Sequence, residues 1–309
     1  MVFKGVMVVL VVVLVTFGFV YSNLPGSVIE LKASAIPRSS PNISYGNVPV
    51  FAENMRFNHN LLTYFVDASC DGSQKSSMIG AFNIFSDKTK IISFYETQSV
   101  EDSDIEVKCS DERVEISDSL FAAGEGGPSK IINTSYFKTI QKGDILLYNK
   151  IDCEYPIVEL HELCHVFGFN HSDNPVSIMY NTSACSQRIS DDMVELIQEL
   201  YSIEPLSEIS IQEVWAVKRG RYLDFNISVF NEGLIGAEDV TLTILSDGKV
   251  VETLDLGGID LGYGRTLNAQ NVRFPSKSVE VVGFFVDYDN SIRELDEDNN
   301  LAELTVEGS

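Results

Sequence analysis

Residues 161–171 read HELCHVFGFNH, and no other run constrains the fold so tightly. His161 and His165 are four apart, so on a helix they share one face about one turn apart. Both imidazoles can then reach a single ion at the roughly 2.0 Å that zinc requires. Gly168 lets the chain leave the helix with positive φ, and the sharp turn brings His171 back as a third ligand. Three protein ligands keep a fourth position open for water. Glu162, beside the first ligand, is placed to take that water's proton and pass it to a leaving amine, and the ion polarises the scissile carbonyl. The run fits HExxHxxGxxH at all five specified positions, and amide hydrolysis is the reaction it implies. Of the four histidines, only His59 lies outside the motif, and a loop or surface place is expected for it.

A chain of 309 residues exceeds one typical domain, so two folded units with terminal extensions are expected. Hydrophobic content of 44%, with 18 Phe and 12 Tyr, supplies real cores for both. The formal net charge of -23, from 45 acidic against 22 basic residues, excludes nucleic acid and an anionic membrane surface as partners. Such an excess serves solubility, a high-salt habitat or cation-binding loops.

Residues 5–21, GVMVVLVVVLVTFGFVY, are uncharged and mostly apolar after Lys4. That layout predicts a signal peptide or a single N-terminal membrane anchor over residues 1–21, with no clear cleavage site to choose between them. The rest is then expected outside the cell, secreted or held at the outer face of the membrane by this segment alone. Export makes the five cysteines candidates for disulfides, and being odd in number they leave at least one thiol unpaired or paired elsewhere. Sequons at Asn42, Asn133, Asn181 and Asn226 point the same way more weakly.

Residues 22–50, rich in Pro, Ser, Gly and Asn, break any period and are expected to form a flexible leader or stalk. From Leu61 the pattern changes. LLTYFVDAS, IISFYE, DIEVKCS and GDILLYN are strand-like, Lys75 to Phe85 suits a helix, and a Gly-rich stretch, Gly124 to Pro128, precedes KIINTSYF. Strands alternating with a helix suggest a mostly parallel sheet in a unit over residues 51–205, closed by a helix from about Ser190 to Ser202 and by Pro205. From Ile209 the helical signals vanish. Short β-branched or alternating runs (ISIQEVWAV, YLDFNISVF, DVTLTIL, KVVETLDL, VEVVGFFVDY, LAELTV) predict an all-β sandwich over residues 206–309, complete in itself.

HELCHVFGFNH followed by Ser177-Ile-Met-Tyr180 resembles the zinc helix and Met-turn of metzincin peptidases, over about residues 50–205. Ser172 after the third histidine, with Tyr180 directly after the methionine, is most similar to the matrixin branch. The resemblance implies an α+β fold, a mixed and mostly parallel sheet with the zinc helix, in which Met179 forms an apolar floor beneath the metal histidines. It also implies a side-chain pocket lined by Tyr180 to Ala184 and part of the zinc helix. Matrixins carry a zinc-blocking propeptide cysteine and a second, structural zinc. No cysteine precedes Cys70 and only His59 is left over, so neither is expected here and one zinc is. In the family fold the first and third strands are neighbours, which makes Cys70 and Cys109 a candidate pair; Cys153 and Cys185 flank the active-site segment as a second. Cys164, inside the helix, is then a buried free thiol. Four cysteines allow three pairings, and the sequence leaves the choice open.

NISVFNEGLIGAEDV and VDYDNSIRELDEDNNLAELTV resemble CARDB-type immunoglobulin-like modules of prokaryotic surface proteins. Such a module implies a role in placing the enzyme or binding a surface partner. Asp287, Asp289, Asp296, Glu297 and Asp298 are candidates for calcium, although their spacing fits no EF-hand and an exposed acidic loop without an ion is the simpler reading. The expected activity is that of a zinc-dependent endopeptidase acting on protein or peptide. The alternatives are a catalytically silent surface adhesion protein with a structural zinc, and a zinc hydrolase of other substrates. Glu162 discriminates against the silent one, since a structural site needs no general base.

Overall fold

In the computed structural model, which describes residues 16, 28–34, 43–112, 114–117, 120–148 and 151–306, sixteen strands and three helices build two layered units. The strands are β1 Val28–Ser34, β2 Met55–Phe57, β3 Leu61–Val66, β4 Ser93–Glu96, β5 Ile105–Cys109, β6 Glu115–Ser117, β7 Leu120–Phe121, β8 Gly124–Asn133 and β9 Lys138–Leu147. They continue as β10 Ile209–Arg219, β11 Tyr222–Asn231, β12 Ala237–Ser246, β13 Lys249–Ile259, β14 Gly264–Arg273, β15 Val281–Val286 and β16 Leu301–Thr305. The helices are α1 Gly72–Thr89, α2 Ile157–Val166 and α3 Asp191–Ser202.

The first unit is the expected mostly parallel sheet. β4, β3, β5 and β9 lie side by side and parallel, and β2 pairs with the start of β9 beside β5. β8 alone runs antiparallel, along the outer side of β9. α1 is longer than the expected Lys75 to Phe85 at both ends. Asp71 and Gln74 close a capping box at its start, and Lys90 takes a left-handed conformation (φ 61°) at its end. Met78, Ala81, Phe82 and Phe85 recur at helical spacing and are buried, Phe82 stacking on Tyr64 of β3 with 4.2 Å between ring centroids.

The second unit is a sandwich of two antiparallel sheets, ordered β1-β10-β11-β14 and β13-β12-β15-β16. Its inner positions alternate along β11, where Leu223, Phe225, Ile227 and Val229 are buried between the sheets. Two features depart from the sequence reading. β14 was not expected, because only Leu267, Ala269 and Val272 punctuate its polar run. The larger correction concerns residues 22–50. Val28–Ser34 is not leader but the edge strand of the sandwich, paired with β10 from Val28↔Arg219 to Ser34↔Glu213. Ile29 and Leu31 alternate with Glu30 and Lys32, a strand period easily lost between Pro- and Ser-rich flanks, and Leu31 enters the core. Residues 206–309 are thus incomplete without it.

Residues 43–50 also differ from a free leader. Val48 is buried in the first unit's core, Phe51 N donates to Gly168 O (2.8 Å) and Asn170 N to Pro49 O (2.9 Å). Apart from Thr16, the apolar run 5–21 lies outside the described residues. Among the described residues no helix is long and apolar enough to cross a membrane.

Candidate metal centre

α2 is buried along nearly its whole length, and it sets His161, Glu162 and His165 toward a cavity of about 650 Å³. The helix ends at Val166, and Gly168 follows with φ +90°, as its place in the motif requires. A Cβ at Gly168 would also meet Met55 Sδ at 2.9 Å, so the turn excludes a side chain twice over. Beyond the turn, His171 comes back to the other two.

The three Nε2 atoms form a nearly equilateral triangle: His161 to His165 3.0 Å, His161 to His171 3.2 Å and His165 to His171 3.2 Å. The far sides of two rings decide what these nitrogens are. His161 Nδ1 lies 2.6 Å from Ile178 O, and His165 Nδ1 lies 2.8 Å from Phe169 O. A carbonyl only accepts, so each Nδ1 carries the proton and each neutral ring turns a bare Nε2 lone pair into the triangle. Burial pushes His161 down to about 4 and lowers His165, keeping both neutral at ordinary pH. Lone pairs face to face repel unless a cation lies between them. Nitrogen ligands held tetrahedrally at 2.0–2.1 Å lie about 3.3 Å apart, close to the edges found here, so the donor set fits zinc. The carbonyl partners are the outer-shell acceptors that orient such ligands.

Met179 is buried in the same core, next to the Ile178 whose carbonyl holds His161. Its loop is closed by Ser172 N donating to Met179 O (2.8 Å) and Tyr180 N to Ser177 O (3.1 Å). Of the expected pocket segment Tyr180 to Ala184, Asn181, Thr182 and Ser183 line the cavity. Glu162 is 5% exposed and lines it beside the histidines. Burial, with Glu125 and Glu159 as nearby like charges, pushes its carboxyl up to about 8, and a cation at the imidazoles acts in the opposite direction.

Two parts of the site went unread in the sequence. The Gly-rich stretch is the start of β8, and its alternate glycines face α2. A Cβ at Gly124 would sit 2.8 Å from Glu162 Cγ, and one at Gly126 2.4 Å from Glu162 O. Glycine at period two within a strand is the signal of such close approach. Phe51, half exposed, stacks on the His165 ring (centroids 5.6 Å, interplanar angle 19°) and forms another side of the cavity. No local pattern announces it.

Cys70–Cys109 and Cys153–Cys185 are disulfides with Cα separations of 4.8 and 5.5 Å, and Cys164 is a buried free thiol, its pKa raised by burial. His59 is a partly exposed residue whose Nε2 lies 3.1 Å from Asp104 Oδ2. In the second unit, Asp287 and Glu297 come together with Glu294, their oxygens within 4.8 Å, whereas Asp289, Asp296 and Asp298 stay outside that group. Asp287 accepts from the Ser291 and Ile292 amides (3.1 and 2.9 Å) and Glu297 from the Glu294 amide (3.0 Å), so both carboxylates brace their own loop.

The histidine-bearing helix, the glycine turn and the buried methionine turn accompany a mostly parallel sheet, the arrangement expected of a metzincin-like domain. Known proteins agree: residues 56–202 match the family model for Matrixin and residues 206–304 the model for CARDB. The chain therefore carries a matrixin domain followed by a CARDB domain. Stromelysin-2 of Rattus norvegicus is 39% identical over 66 residues, 20% of this chain and 14% of that protein, so the chain spans only a small part of that curated relative. A CARDB domain from Pyrococcus furiosus, solved in complex with di-metal ions, is 16% identical with a TM-score of 0.28, over 33% of this chain and 93% of that one. A domain described as part of a cell surface protein from Methanosarcina acetivorans is 19% identical with a TM-score of 0.24, over 27% of this chain and 74% of that one.

Proposed function

We propose that the chain is a zinc-dependent endopeptidase, with His161, His165 and His171 holding one zinc and Glu162 as general base. The observation that carries this reading is the triangle of Nε2 atoms, 3.0–3.2 Å on each edge, those of His161 and His165 left unprotonated by their Nδ1 partners, with the Glu162 carboxylate on the same cavity. Bound there, zinc supplies Lewis acidity and lowers the pKa of a coordinated water.

The chain's own residues do the rest. Ile178 and Phe169 fix the His161 and His165 imidazoles in the tautomer that leaves Nε2 free. Glu162 takes a proton on its carboxylate oxygen and returns it to the leaving amine. Strand β8, reduced to glycine where it passes Glu162, leaves that carboxylate room and walls the cleft with backbone. The two disulfides support a place outside the cell, in keeping with the apolar N-terminal run. A CARDB domain beside the peptidase domain suits the holding of a surface partner.

Cleavage of a peptide library by the purified chain, abolished by chelator and restored by zinc, is the direct test. Glu162→Gln should keep its zinc and lose roughly 10²–10⁴ in turnover, since the amide matches the carboxylate in size but accepts no proton. Undiminished cleavage by that variant would show the general-base assignment to be wrong.

A further inference from the structure

The cleft wall and the C-terminal sandwich are two ends of one hairpin. β8 runs from Gly124, against Glu162, to Asn133, and the turn from Thr134 to Phe137 leads back into β9. At roughly 3.3 Å per residue, these ten residues carry the chain about 30 Å from the metal centre to the other unit.

β8 is an edge strand of its own domain, laid along β9 and, at its glycine end, against α2. Among the described residues it pairs on one side only, with β9, and the register shifts between Pro128 and Lys130 and again between Lys130 and Ile131. Gly124, Gly126 and Gly127 contribute no side chains to pack, and Pro128 has no amide to donate. Its position is set by β9, by α2 at Glu162 and by what holds its far end.

Its far end is gripped by the sandwich. Tyr136 and Phe137 are 4% and 1% exposed and share a small core with Leu234, which is fully buried, and with Ile203 and Leu295. Polar contacts surround that seat. Ser135 Oγ donates to Glu232 Oε1 (2.6 Å), Tyr136 Oη lies 3.4 Å from Glu208 Oε1, and Asn299 Nδ2 lies 3.4 Å from Tyr136 Oη. From the peptidase side, Asn54 Nδ2 donates to Tyr136 O (2.9 Å). A Cβ on Gly262 of the sandwich would meet Ile132 Cγ2, on β8 itself, at 2.2 Å, so the two units touch backbone to side chain along the strand as well.

We propose that the CARDB domain sets the position of the cleft wall by holding the tip of the β8–β9 hairpin, with Tyr136 as the positioning residue. The inference rests on the peptidase reading of the cleft. A ligand or load on the sandwich that shifts Leu234, Glu208 or Asn299 then reaches the peptide-binding side of the site through one strand.

The test uses the full zinc-loaded chain. In Tyr136→Ala, amide hydrogen exchange over residues 124–133 should speed up at least about tenfold while residues 157–166 and the zinc content stay as in wild type. KM for a cleaved peptide should rise several-fold with kcat little changed. Ser135→Ala, at an exposed position that leaves the fold intact, should move exchange and KM in the same direction by less. Tyr136→Phe, which keeps the apolar seat, should stay close to wild type. Unchanged exchange over β8 in both alanine variants, or faster exchange with KM unmoved, would overturn the proposal. A wild-type chain that cleaves no peptide at all would instead remove the peptidase reading, and the exchange data would still report whether the sandwich holds the hairpin.

Discussion

Single atoms decide the behaviour of β8 at the metal centre. A Cβ added at Gly126 meets backbone of α2, which cannot yield, whereas one added at Gly124 meets first the flexible Glu162 side chain. Gly126→Ala should therefore lower stability by about 1–3 kcal/mol, the usual range for overpacking, seen as a reduced Tm. Gly124→Ala should keep the fold and the zinc yet lower turnover, because the displaced group is the base itself. A full-length chain with Gly126→Ala melting as wild type would refute the close approach. His171→Ala should lose most of its bound zinc, measurable by metal analysis, since two ligands on one helix turn no longer enclose the ion. The ligands and base were legible because a helix and one turn place them from sequence spacing alone. Phe51 and the two glycines were not, because their roles exist only where distant segments meet.

Glu294 gives a second expectation at the same scale. Burial, with Glu208 and Glu297 adding like charge and Asp287 close by, raises its pKa to about 8, although the Ile209 amide and Asn300 Nδ2 donate to it. Among the described residues Asn300 Oδ1 has no partner, and a protonated Glu294 can donate to it once the amide is turned about. The folded value lies above the unfolded one, so the contribution is fully present below about 4.5 and is lost as pH rises through about 8. In the metal-free chain, Tm should fall between pH 5 and 8.5 more steeply for wild type than for Glu294→Gln. Parallel pH profiles for the two would contradict this.

At the scale of elements, the metal centre is bracketed by the Cys153–Cys185 bridge, which closes a segment with a sequence separation of 32 and contains α2 and the methionine turn. Loop closure of that length is worth about 3–4 kcal/mol in the chain-entropy account, so Cys153→Ser with Cys185→Ser should cost about 2–4 kcal/mol in denaturant unfolding. Both cysteine pairings suggested by family resemblance are those found, yet spacing alone could not have selected them from three. Strands with strong alternation, such as β3 and β11, were readable directly. β1 and β14 were not: the first sits in a stretch whose composition signals a linker, and the second takes little apolar surface into the core. It follows that a fragment of residues 206–309 should unfold more easily than the same fragment supplied with a peptide of residues 28–34. Equal stability with and without the peptide would show that β1 is dispensable to the sandwich.

Across the whole molecule, the peptidase domain is an insertion between the first strand of the sandwich and the rest of it. The chain enters through β1, leaves to build the metal centre, and returns at β10 to lie against the strand it began with. Mechanics follow from that topology. A pull on the residues before Val28, with the sandwich held by whatever it binds, runs along β1 into β10 and loads seven paired positions in shear. The peptidase domain, joined to both strands, lies outside this line of force. Cutting the backbone between residues 34 and 43 would break the covalent link from β1 to the peptidase domain, which stays joined to β10, and leave the tether standing, since the severed strand stays zipped to its neighbour.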